Sequence, residues 1–145
     1  MKITHNLIAL SLVAFAGAAV AQDMKADMKM SDVQMAEMKG KQMSGMFMGI
    51  EAKTGSVSLY KMGGKYHLQV SKDFKVPASP APHWQVVDAK GNTFLLQRFN
   101  IVGDKINSDI VLPSYITSVA KVQVWCSFAE VNLGEAKFAK VVHLK

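Results

Sequence analysis

The chain has 145 residues, with 17 Lys and Arg against 11 Asp and Glu, ten Met and one Cys. One Cys excludes an intrachain disulfide. A formal charge of +6 with Arg98 as the sole Arg lacks the basic stripe and stacking aromatics that nucleic-acid binding requires, and suits an acidic partner or an anionic membrane surface instead.

Residues 1–21 read as a secretory signal peptide. Lys2 and His5 form a short polar start, Leu7 to Val20 is apolar, and Ala19-Val20-Ala21 supplies a small-x-small cleavage pattern. The apolar run is shorter than the roughly 20 residues a spanning helix needs, and no later segment approaches that length. The predicted product is exported, periplasmic in a Gram-negative cell by the style of the leader, with no integral membrane segment after leader removal.

Residues 22–43 form a predicted Met-rich arm, flexible or shortly helical. Eight methionines fall between Met24 and Met48 in a segment with few β-branched or aromatic residues. Ser31 with Gln34 makes a capping pair and Gly40 a possible helix stop. On such a helix Met24, Met28, Met35 and Met38 share one stripe. Thioether sulfur is soft and suits Cu(I) or Ag(I). Met28-x-Met30, Met35-x-x-Met38, Met43-x-x-Met46 and Met46-x-Met48 are spacings at which neighbouring sulfurs can converge. Those seven residues are the candidate metal ligands. A stripe that only docks on the domain, filling apolar gaps as Met readily does, accounts for the same composition, and sacrificial oxidation is a third account.

Residues 44–145 are predicted to be all-β, a small antiparallel sandwich or partly closed barrel. The predicted strands are 46–51, 56–62, 65–71, 83–88, 93–99, 119–126, 128–133 and 135–144. Gly63-Gly64 between the second and third is a strong hairpin signal. Val57 and Leu59 alternate with Ser56 and Ser58, and Tyr66, Leu68 and Val70 with Lys65, His67 and Gln69, as in strands with one buried face. Pro77, Pro80 and Pro82 make an extended connection. Residues 88–92 form a turn and 100–109 a polar loop.

Cys126 is the candidate redox thiol. It shares strand parity with Val122 and Val124, so it points inward, while Lys121, Gln123 and Trp125 take the wet face. An inward thiol is most often an inert small hydrophobe. Trp125 and His83 are weaker candidates for contacting a cofactor, Trp125 because a large aromatic is unusual on a wet face. His83, beside Trp84, is either a loop residue held by its own hydrogen bond or a copper ligand with Met sulfur or Cys126. His67 reads as a solvated surface residue and His143 as incidental. No paired-carboxylate, Ser-His-Asp, zinc-spacing or phosphate-loop pattern occurs, so hydrolysis and group transfer have no warrant and no enzyme class is assigned.

Several segments resemble a known family. They are Ser44-Gly45-Met46-Phe47, then Phe74, Pro82-His83-Trp84 running on to Gly91, Leu112-Pro113, Trp125-Cys126-Ser127-Phe128, and Gly134-Glu135-Ala136 with Phe138. Together they resemble the electron-transfer DM (DM-thirteen) domain family over about residues 44–138, most specifically at Trp125-Cys126. The resemblance implies a small β-sandwich with a redox-active Cys, working with a periplasmic redox or cytochrome partner that supplies any haem. His83 stands where the family usually has an acidic residue. On this basis the expected function is a redox-accessory or electron-transfer domain. The alternatives are Cu(I) binding through the arm and a non-catalytic binding or structural module.

Overall fold

The computed structural model describes residues 40–103, 105–106 and 108–145. Ten strands and no helix form among them, and none of them belongs to a helix long and apolar enough to cross a membrane. The leader, the expected arm helix and Met24, Met28, Met30, Met35 and Met38 lie outside the described residues.

The strands are β1 (Gln42–Met43), β2 (Val57–Met62), β3 (Lys65–Val70), β4 (Pro82–Val87), β5 (Thr93–Arg98), β6 (Ile101–Val102), β7 (Lys105–Ile106), β8 (Asp109–Val111), β9 (Ser118–Cys126) and β10 (Val131–His143). They make two antiparallel four-stranded sheets, ordered β1-β2-β3-β8 and β10-β9-β4-β5, with β6 and β7 as a separate hairpin. The predicted all-β sandwich is therefore the observed architecture. Inward-facing Val57, Leu59, Leu68 and Ile110 of one sheet meet Trp84, Val86, Val122 and Val124 of the other in one buried core. The alternation that makes each strand amphipathic is what brings these faces together.

The β2–β3 hairpin is as expected. Gly63 and Gly64 both have positive φ, 56° and 77°, the backbone a two-residue primed turn demands and a side chain resists. Met62 pairs with Lys65 across it. The turn after β4 is closed by the Asp88 carboxylate, which accepts from the backbone N–H groups of Lys90 and Asn92 at 2.8 Å each.

Four expectations need correction. No continuous strand covers 46–51. Residues 44–52 instead form a seam between the sheets. Ser44 and Phe47 donate backbone N–H bonds to Val57 and Gly55 on one side, and Gly45 and Met48 donate to Lys137 and Glu135 of β10 on the other. β1 begins this seam by pairing with β2 from Gln42. At Gly49 the segment passes so close to the Gly134 backbone that a Cβ has no room.

The closing strand is also different. Residues 127–130 are a turn with Phe128 exposed and Glu130 at φ 53°, and β10 runs unbroken from Val131 to His143. Gly134 sits at an irregularity in the pairing and not at a break. The Asn132 side-chain oxygen accepts the Gly134 N–H at 3.1 Å, replacing the ladder bond that the irregularity displaces. The polar loop 100–109 contains the β6–β7 hairpin. Finally, β8 was not foreseen. Three residues carry too little pattern to read, yet Ile110 lies opposite Leu68 and is buried.

Candidate functional site

Three groups of candidate residues occupy three separate places. Cys126 ends β9 on the inner face, as its parity requires, and is 1% exposed. Its sulfur accepts the Ala129 backbone N–H at 3.4 Å. Ser79 is the first cause of a thiol pKa below the ordinary value, and the Ala129 N–H is the second; burial works the other way. The Ser79 hydroxyl is buried without a hydrogen bond of good geometry, so its hold on the sulfur is weak. The thiol is tuned slightly toward thiolate but sealed from solvent, and access governs thiol reactivity as much as pKa does.

Trp125 and His83 come together, on the opposite face from Cys126. They are direct partners across β9 and β4, and Arg98 of β5 continues the row. Both rings are half-buried. His83 Nδ1 lies 3.0 Å from the Ala81 carbonyl oxygen. A carbonyl only accepts, so Nδ1 carries the proton and the ring is fixed by its own chain. The ring is held by its own chain as expected, but from a position in β4 and not in a loop. His83 and Cys126 face opposite sides of one sheet, so the structure does not gather them into a shared copper site.

Beside that row the outer face carries a polar network that the sequence reading missed. Gln85 donates to the Gln123 side-chain oxygen at 2.7 Å, and Gln123 donates in turn to Glu135 Oε2 at 2.9 Å. Lys121 reaches the same oxygen at 2.7 Å and Lys137 reaches Oε1 at 3.0 Å. Burial opposes ionisation of Glu135, but the Lys121, Gln123 and Lys137 donors outweigh it and hold its pKa down at about 2. Gln123 is accordingly buried, not wet, because its amide is satisfied within the face. His67 also departs from its expected solvated state. It is buried, its Nδ1 lies 3.2 Å from both Asp109 carboxylate oxygens, and its ring stacks on Tyr60. Asp109 fell in a predicted loop, so nothing in the sequence announced this pair. His143, at the end of β10, is exposed.

The third place is the seam. Phe47 is buried in an aromatic cluster with Phe74 and Trp84. Met46 and Met48, on either side of it, are 63% and 75% exposed, and Met43 at the end of β1 is 65% exposed. Backbone bonds on both flanks fix this segment, so the side chains of Met46 and Met48 leave a defined backbone. Both side chains stand in solvent while Phe47 between them is buried. Each has three rotatable bonds with which to bring its sulfur toward the other. Among the described residues no three His, Cys, Asp or Glu side chains gather in a metal-binding group. The soft donors available at this edge are thioethers.

No protein-family model, curated protein or solved structure matches the chain. The resemblance to the DM-thirteen family gains no support from these comparisons and rests on its motif residues.

Proposed function

We propose that this is an exported soft-metal-binding domain that takes Cu(I), or its analogue Ag(I), through thioethers at the seam. The observation that carries the proposal is the exposure of Met46 and Met48 on a backbone pinned from both sides. Burying a Met side chain contributes roughly 1.5–3 kcal/mol, a gain these residues forgo while Phe47 between them takes it. Polarizable sulfur held outward suits a soft monovalent ion. Thioethers carry no proton to lose, so binding is expected to be flat with pH, unlike that of thiolate or imidazole sites. Met28, Met30, Met35 and Met38 extend the same donor chemistry along the chain, and the leader supports a periplasmic setting for it.

The test is Cu(I) titration of the mature chain against a chromophoric competitor. One variant carries Leu at Met43, Met46 and Met48, and another carries Leu at Met24, Met28, Met30, Met35 and Met38. Leu keeps the volume, so folding is preserved. The seam variant is expected to bind at least tenfold more weakly than wild type. Unchanged affinity in that variant refutes the proposal.

A redox-accessory role through Cys126 is the second reading, favoured by the hydrogen bonds, Ser79 first and then the Ala129 N–H, that draw its pKa down. Its test is loss of a redox phenotype in Cys126→Ser with the fold retained. With no second Cys to resolve a sulfenate, the cycle needs an outside thiol or a cytochrome partner, and burial of the sulfur weighs against direct attack.

A further inference from the structure

We infer that Met43, Met46 and Met48 are reversible oxidation sites, and that a hydroperoxide converting them to sulfoxides switches off the soft-metal edge while leaving Cys126 and the fold intact. The switch rests on the soft-metal reading; the oxidation sites do not.

The partition of sulfur between surface and interior carries the inference. The three thioethers are the most exposed methionines described, at 63–75%, with Met62 next at 41%, whereas the thiol is 1% exposed. A hydroperoxide therefore meets thioether first. In the reaction the sulfur lone pair attacks the terminal peroxide oxygen, the O–O bond breaks, an S–O bond forms, and the proton on the transferred oxygen passes to the departing oxygen. The thioether loses two electrons, and the peroxide is reduced to an alcohol, or to water when it is hydrogen peroxide. The sulfoxide is polar. In a core it would be an unpaired polar group and would destabilise the fold. On the outward side of the seam its oxygen enters water and no buried partner is lost.

Phe47 and the backbone bonds to Val57, Gly55, Lys137 and Glu135 do not involve these side chains, so the seam stays closed. Oxidised sulfur is a poor soft donor, since one of its two lone pairs now holds oxygen and that oxygen withdraws density from the other. Reduction by a methionine sulfoxide reductase returns it.

The experiment treats the mature chain with graded hydrogen peroxide. It maps oxygen uptake by tandem mass spectrometry, records the melting curve, and measures Cu(I) affinity before treatment, after treatment and after enzymatic reduction. The expected result is oxygen on Met43, Met46 and Met48 before Met62, an unmodified Cys126 and an unshifted melt. Cu(I) affinity is expected to fall at least tenfold and to recover on reduction. Oxidation of Cys126 ahead of the methionines overturns the site assignment, as does a melt that collapses as Met46 and Met48 are modified. Strong Cu(I) binding that survives complete oxidation overturns the switch. Absence of Cu(I) binding before any treatment removes the soft-metal reading and the switch together, and the oxidation map then stands or falls alone.

Discussion

Replacing Gly134 by Ala tests the seam directly. A Cβ there would stand 2.3 Å from the Ala52 carbonyl oxygen and 2.9 Å from the Ala52 Cβ, where ordinary contact begins at 3.4 Å. Neither group is the free end of a flexible side chain, so the backbone at residue 52 must retreat by about 1 Å to reach van der Waals distance. That retreat pulls on the Glu51 and Ala52 N–H bonds to the Leu133 carbonyl, both 3.0 Å. Overpacking costs about 1–3 kcal/mol and two weakened backbone bonds add about 1 kcal/mol each, roughly 3–5 kcal/mol in all. Gly134 does not have a positive φ, so the cost is steric and not conformational. For a domain of about 100 residues the melting temperature should drop by on the order of 15 °C. Thermal denaturation followed by circular dichroism measures it. Gly40→Ala is the control, because a Cβ there meets nothing within 4 Å, and its melt should stay near wild type. A Gly134→Ala protein melting within about 2 °C of that control would refute the claim that close backbone approach holds residues 44–52 against β10.

Acid should destabilise the domain through Glu135. Its folded pKa, about 2, lies below the ordinary 4.5, so the stability it contributes is complete above about pH 4.5 and is lost as pH falls toward 2. After allowance for solvent screening the loss is on the order of 1–2 kcal/mol; Glu135→Gln should flatten the fall in denaturant midpoint between pH 5 and 2, and an unchanged slope would count against the network. Cys126 should resist an aromatic disulfide reagent in the native protein and react at once in denaturant. Stoichiometric labelling within seconds under native conditions would show that the sulfur is not sealed.

Legibility in the sequence followed the range of the interactions. The β2–β3 hairpin was readable because Gly63-Gly64 and the alternation around it are local. The inward aim of Cys126 was readable because strand parity propagates from Val122 and Val124 without reference to any partner. The seam was not readable. Residues 46–51 have strand composition, but their backbone donors divide between Gly55 and β10, and Gly49 packs against Gly134, eighty-five positions away in the chain. Gln123 and His67 were misplaced for a related reason. A polar side chain reads as wet until its partner is known, and the partners Glu135 and Asp109 lie on strands whose register only the fold supplies.

The same distinction bears on which sulfur chemistry this domain supports. The sequence presents Cys126 and the Met cluster as comparable claims, since composition says nothing of access. The structure separates them by what covers each. Packing that completes the core around Trp84, Val124 and Leu133 also closes over the thiol. Phe47 takes the inward place in the seam while Met46 and Met48 on either side of it stand in solvent, so retaining them there leaves the core packing untouched. A residue chosen only to fill space on that side would need no sulfur, and Lys or Glu would serve solubility better. On the proposed soft-metal reading, replacing Met46 and Met48 by Lys should leave the melt in place while weakening Cu(I) binding at least tenfold; an unchanged Cu(I) affinity refutes that reading.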